Sequence, residues 1–313
     1  MNNIKNNHFL VLGRAGLDLY ADPPGTRVEE ALAFSSALGG SAANIAVAIS
    51  KLGGRASLVS CVSDDAVGRY ILNQLKVHGV ASDHMHIVQG EARSSLAVVE
   101  TRAENCQSVI YRNGASDFQL SDEHVRNIPY NEYGALIVTG TSLAVEPSRG
   151  ATLLAMKLAR DAGLSVIIDI DYRPYSWASA AEASQVYLAA AAMCNVIVGN
   201  DVEFGVMGEG LTLARQLAQS TEVVIYKMGE KGSITFAGPE EFETGIYRVT
   251  ALKPTGAGDA FMGAFITSYA NGMDTETCVK RGSAAAAIVV TKVGCAPAMP
   301  DTKELDQFMK DHS

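Results

Sequence analysis

Lys253-Pro-Thr-Gly-Ala-Gly-Asp-Ala-Phe-Met-Gly-Ala-Phe265 reads as a glycine turn that opens a helix. Phe261, Phe265 and Tyr269 fall on one helical face, while Gly256, Ala257 and Gly258 put nearly bare backbone amides at the positive end of the helix dipole. Such amides form a nest for an anion, and phosphate suits it. Asp259 follows in the first turn, where its carboxylate has two readings: a favourable partner for the dipole, or a base that takes the proton of an alcohol attacking a bound phosphoryl group. The adjacent Gly-Ala-Gly favours the base.

Outward from this segment, short β-rich apolar runs at 9–12, 56–61, 135–139, 165–170, 196–198 and 223–227 read as buried strands. Between them lie helix-period segments at 41–52, 67–78, 148–162, 181–193 and 211–220, several closed by glycine. This alternation predicts a parallel sheet covered on both faces. Two stretches break it, at 18–38 and 94–111, and residues 94–111 read as two strands around a polar turn. Together they form either a small sheet that lids a crevice or an edge hairpin without a role. No repeat or long linker divides residues 1–313, so a single domain is expected, with any lid formed by about 14–38 and 90–118.

Composition narrows the partner. The 313 residues are 48% hydrophobic with a net charge of -9, and 34 acidic against 25 basic side chains leave no basic stripe for nucleic acid or anionic lipid. Residues 183–200 form the longest charge-free run, but Ser184, Gln185, Tyr187 and Asn195 interrupt it, so it reads as a helix followed by a strand rather than a membrane span. Five cysteines without a C-x-x-C pair suit buried reduced thiols. With a polar opening, Met1 to His8, that lacks the layout of a signal peptide, the expected location is the cytoplasm. The expected partner is a small molecule. There is no P-loop, the third glycine of a dinucleotide fingerprint is Phe261, and His84-x-His86 reads as a solvated loop rather than a metal site.

Gly256-Ala-Gly-Asp259 near the C-terminus and Gly39-Gly-Ser-Ala-Ala-Asn44 near the N-terminus resemble the two signatures of the pfkB-type, ribokinase-like carbohydrate kinases, and the order and spacing extend from Gly13 to Pro300. The resemblance implies a three-layer α/β/α sandwich with a mostly parallel central sheet and a small β-sheet lid, using ATP and Mg²⁺. It implies Asp259 as general base and Gly256, Ala257 and Gly258 as anion hole. Asn200-Asp-Val-Glu203 matches a motif that organises Mg²⁺ and the phosphates, with Glu203 acting on the metal through water; the same spacing is also a helix cap. Lys227, Gly229 and Gly232 match the segment near the nucleotide phosphates, and residues 284–288, Ala287 among them, with Gly294 match the region around adenine. Solvation of the lysine and ordinary helix packing are their alternatives. Asp18, Gly39, Gly40 and Asn44 match positions that bind sugar hydroxyls.

Arg14, Arg112 (beside Tyr111) and Arg173 lie in segments expected near the sugar, where guanidinium groups suit the carboxylate of a sugar acid; singly, each also reads as a surface residue. The stretches at 12–20 and 169–177 resemble the branch that phosphorylates the 6-hydroxyl of 5-dehydro-2-deoxy-D-gluconate in myo-inositol catabolism. Kinases of 2-keto-3-deoxygluconate are next, and those of ribose and fructose third. A non-catalytic sugar-binding regulator is the alternative of another class, and a base beside a phosphate nest argues against it. Many family members carry Asp-Thr-Thr before the anion hole, where the aspartate helps build a monovalent-cation site; Lys253-Pro254-Thr255 here puts K⁺ use in doubt. Monomer and homodimer both stay open.

Overall fold

In the runs that read as buried strands, both side-chain rows are apolar: Phe9 and Val11 enter the core on one face of the sheet, and Leu10 and Leu12 enter the core on the other. Each such side chain contributes roughly 2 kcal/mol through burial, which is why the strands are covered on both faces. The computed structural model describes residues 4–312; of the polar opening stretch, residues 1–3 lie outside the described residues.

The strands are β1 (His8–Leu12), β2 (Gly16–Asp22), β3 (Ala33–Gly39), β4 (Arg55–Ser63), β5 (Ala81–Val88), β6 (Ser95–Val99), β7 (Ser108–Tyr111), β8 (Ala135–Thr139), β9 (Ser165–Asp169), β10 (Val196–Asn200), β11 (Val223–Lys227), β12 (Ser233–Ala237) and β13 (Glu240–Thr244). The helices are α1 (Ser41–Lys51), α2 (Ala66–Val77), α3 (Asp122–Arg126), α4 (Ser148–Asp161), α5 (Ala180–Ala191), α6 (Asp201–Met207), α7 (Gly210–Leu217), α8 (Ala257–Ala270), α9 (Thr275–Val290) and α10 (Thr302–Asp311).

Nine strands form the main sheet in the order β13-β12-β11-β10-β9-β8-β1-β4-β5. It is parallel from β11 through β5, and β12 and β13 add an antiparallel edge. Helices α1, α2, α8, α9 and α10 pack on one face and α3 to α7 on the other. The stretch at 183–200 divides into α5 and β10, and among the described residues no helix is long and apolar enough to cross a membrane. All five cysteines are free thiols; four are buried and Cys106 is half-buried.

Two features depart from expectation. His84 and His86 lie on β5, a true strand rather than a solvated loop; as the sheet's edge it leaves many side chains half-exposed, so its sequence lacks an apolar signature. His84 Nε2 meets the Tyr133 hydroxyl at 2.8 Å, and the His86 ring stacks on His124. The β12–β13 hairpin was also hidden, because its outer strand is Glu-rich.

The interruptions at 18–38 and 94–111 form a separate small sheet, ordered β3-β2-β6-β7. Tyr20, Ala37, Ala97 and Val99 on its inner side pack with Cys295, while Phe34, Val109 and Tyr111 are exposed.

Candidate active site

Parallel strands deliver their following residues to one edge of the main sheet, where a crevice opens in folds of this kind. Arg14 follows β1, Thr141 follows β8, Asp171 and Arg173 follow β9, and Asn200 and Lys227 end β10 and β11. Helix α8 starts at the same edge. Its N-cap, Gly256, has φ +84°, and a Cβ there would stand 2.9 Å from Cys295 Sγ, so both backbone conformation and space demand glycine. The first amides of α8 have no acceptor within the helix, the earliest helical bond being from Ala260 to the Gly256 carbonyl.

Asp259, half-buried in the first turn, accepts a hydrogen bond from Asn44 Nδ2 at 2.8 Å. Burial and then the charge of Asp171 push its carboxyl up to about 7, against the opposing effect of Asn44. That value suits a group that must exchange a proton near neutrality. Asn44 leaves its own Oδ1 buried without a partner, as does Asp18 with Oδ1, although Tyr20 donates to Asp18 Oδ2 at 3.1 Å. Two orphaned buried acceptors, one of them on the Asn44 that contacts Asp259, are what a polyhydroxylated ligand would satisfy. A Cβ on Gly39 would collide with the Asp18 carboxylate and one on Gly40 with the Arg14 carbonyl, which explains the glycine pair.

On the other side of α8's N-terminus lies a crevice of 580 Å³ walled by Asn200, Lys227, Gly229, Gly232, Gly258 and Ala287, among others. Lys227 Nζ is 3.5 Å from where a Cβ on Gly258 would stand and lies 5.6 Å from the centre of the Phe261 ring. Asn200 and Glu203 form the reciprocal helix cap: Asn200 Oδ1 accepts from the Glu203 amide at 3.0 Å, and Glu203 Oε2 from the Asn200 amide at 2.7 Å. Glu203 is nonetheless part of an acidic group. Burial and then Asp169 push its carboxyl up to about 7, and burial raises Asp169 too.

Arg14, Arg112 and Arg173 converge on one cleft of 10 Å³ together with Ile110, Thr141, Asp171 and Tyr175. Their engagements differ. Arg112 is pinned by Asp117 at 2.9 Å through Nε and by the Thr141 carbonyl at 3.1 Å, with Phe118 under its plane. Arg173 pairs with Asp171 at 2.6 Å, which holds it firmly charged. Arg14 is buried, donates to Ser95 Oγ at 3.2 Å, and has no ion pair among the described residues.

Two expected residues sit elsewhere. Tyr111 alternates with Ile110 along β7, so it lies on the exposed side of the small sheet. Gly294 packs against Pro297 and is not a wall of either crevice. Sequence reading also missed participants. Asp171, at φ +42°, accepts from Ser41 at 2.5 Å and Thr141 at 3.4 Å; a non-glycine residue held left-handed is a strain that local sequence does not announce. Ser283 and Val290, on the same face of α9 as the expected Ala286 and Ala287, join residues 246–249 in the large crevice. Their helical spacing was the available signal; the irregular 246–249 segment had none.

Known proteins resemble this chain along almost its whole length. A model of the pfkB family of carbohydrate kinases matches residues 6–302. A 5-dehydro-2-deoxygluconokinase of Photobacterium profundum is 42% identical over 311 residues, covering 96% of this chain and 94% of its own. Among solved structures, a fructokinase with bound ATP from Xylella fastidiosa superposes with a TM-score of 0.85 at 22% identity, covering 98% and 99% of the two chains. A fructokinase double mutant from Vibrio cholerae O395, bound to fructose, ADP and potassium ion, gives 0.86 at 24% identity, covering 96% and 97%. A family match along almost the whole chain, joined to a relative this similar, means that the chain belongs to the pfkB family of carbohydrate kinases.

Proposed function

We propose that this kinase transfers the γ-phosphoryl group of ATP to the 6-hydroxyl of 5-dehydro-2-deoxy-D-gluconate, a step of myo-inositol catabolism. The observation that carries the reading is the convergence of three arginines on one cleft beside the Asn44–Asp259 pair. A neutral sugar has no use for such cations, whereas a sugar acid carries a carboxylate that a guanidinium grips with two bonds. Relatives named 5-dehydro-2-deoxygluconokinase support the same substrate. Arg14, with no carboxylate within ion-pair distance among the described residues, is the main clamp; Arg173 assists and Arg112 shapes the wall.

Asp18 and Asn44 hold sugar hydroxyls through their orphaned oxygens. Asp259 takes the proton of the 6-hydroxyl as that oxygen bonds to phosphorus and the bond to the ADP oxygen breaks. The amides at Gly256, Ala257 and Gly258 hold the charge spread over the phosphoryl oxygens, and Lys227 lies against the remaining phosphates. The crevice of 580 Å³, with Gly229, Gly232 and Ala287 in its walls, is of a size that accommodates the nucleotide. Carboxyls crowded enough to push Glu203 up to about 7 suit a nearby divalent cation. Glu203 would hold Mg²⁺ through water, and the ion would neutralise phosphate charge.

At 10 Å³ the arginine cleft is too small for a six-carbon sugar, so the small sheet acts as a lid that lifts for entry and closes to exclude water. The test is ATP-dependent phosphorylation by the purified protein with Mg²⁺. A clear preference in kcat/KM for 5-dehydro-2-deoxygluconate over 2-keto-3-deoxygluconate, ribose and fructose supports the substrate. Preference for another sugar rejects it while keeping the mechanism, and no turnover on any revives a non-catalytic binder.

A further inference from the structure

Lys253 is fully buried, yet no carboxylate lies within ion-pair distance of it among the described residues. A buried ammonium in that position is expensive unless its protons are used. They are used on backbone: Nζ donates to the Thr255 carbonyl at 2.7 Å and to the Val289 carbonyl at 3.2 Å. The first carbonyl precedes Gly256, the cap of α8, and the other is in the last turn of α9. Two main-chain bonds run alongside, with the Leu252 and Lys253 amides donating to the Val290 carbonyl at 2.7 and 3.2 Å. The side chain therefore puts a positive charge on the negative end of α9 and ties it to the turn that opens α8.

Converging carbonyl oxygens are also what an alkali cation binds. Here an ammonium already lies on both of them, and another cation at its side would be repelled, so these residues do not fit a potassium site of that kind. We propose that Lys253 is a positioning residue that supplies from within the chain the cation that sets the anion-hole turn, so that phosphoryl transfer needs no alkali metal. The inference rests on the reading of Gly256 to Gly258 as the anion hole. Three contacts extend its reach. Cys295 Sγ stands beside Gly256 and 3.3 Å from the Tyr20 hydroxyl, and that hydroxyl donates to Asp18 Oδ2 at 3.1 Å, so the tied turn connects through packed side chains to the sugar end.

The test begins with the unaltered enzyme, assayed at equal ionic strength in KCl, NaCl and tetramethylammonium chloride. The expected kcat varies less than about twofold across the three, since an internal cation is always present. An increase of about fivefold or more on adding K⁺ overturns the inference and leaves the kinase reading intact. Absence of turnover in every salt overturns the kinase reading and this inference with it. In Lys253→Met, kcat is expected to fall by about 10²-fold with sugar KM little changed, and added methylammonium or K⁺ restores about tenfold. A folded Lys253→Met enzyme that no cation rescues, or one that keeps normal turnover, overturns the proposal; should the variant not fold, the salt series on the unaltered enzyme decides alone.

Discussion

The two ends of the crevice are built in different ways. The end proposed for the nucleotide is an open hollow in which glycine, alanine and serine alternate with larger side chains, from α8, α9, the ends of β10 and β11 and the loops at 229–233 and 245–254. At the end proposed for the sugar, long charged side chains from the loops after β1, β7 and β9 interlock in a narrow cleft. Backbone amides and a helix dipole stabilise any transferring phosphoryl group regardless of the acceptor, whereas selection of one acceptor requires side chains of matched charge and reach. A family can therefore keep the nucleotide end and change the sugar end.

The largest expected effect lies where the ends meet. Asp259→Asn should lower kcat by about 10²-fold or more with sugar KM nearly unchanged, measured by steady-state kinetics; near-normal turnover would remove the proposed base. Next comes the sugar end alone. Arg14→Ala should lower kcat/KM for sugar acids by about 10- to 100-fold while barely touching neutral sugars, and Arg173→Ala should do the same more weakly, because Asp171 already engages that guanidinium. Equal losses on acidic and neutral sugars from either variant would sink the clamp.

A smaller effect concerns protonation. With the Asp259 carboxyl at about 7, kcat should rise with pH through neutrality, and Asn44→Ala, by removing a bond that favours the charged form, should move that rise to higher pH. Stability runs the opposite way. A carboxyl whose folded pKa is raised contributes stability that is present below its unfolded value of about 4 and lost as pH rises through about 7. The melting temperature of Asp259→Asn should therefore fall by a few degrees less than that of the unaltered chain between about pH 6 and 8. Equal slopes would mean that Asp259 is already ionised below that range. The smallest effect is at Tyr111→Ala, expected within about twofold of normal kcat/KM because the ring lies on the exposed side of β7. A tenfold loss would put the outer side of the small sheet into the sugar site.

Local pattern determined much of this protein from its sequence alone. Parallel strands buried on both faces must be apolar throughout, so β1, β4, β8, β9, β10 and β11 were legible, whereas edge strands β5 and β13 mix polar residues and were not. The glycine turn that opens α8 was legible because it is built from consecutive residues, and Gly256 at φ +84° needs the backbone freedom of glycine. Only tertiary structure decided the rest. Asn200 and Glu203 turned out to cap α6 and to join an acidic group at once, a combination that spacing cannot separate. Arg14, Arg112 and Arg173 reach one cleft from three separate loops; Asp117 and Asp171, close in the chain, engage two of them, while Arg14 meets Ser95, 81 residues away. Lys253, an odd residue in a motif, became a buried cation through the Val289 carbonyl, 36 residues away. Conformation follows from neighbours along the chain, while charge pairing and burial follow from neighbours in space, and only the folded chain brings those together.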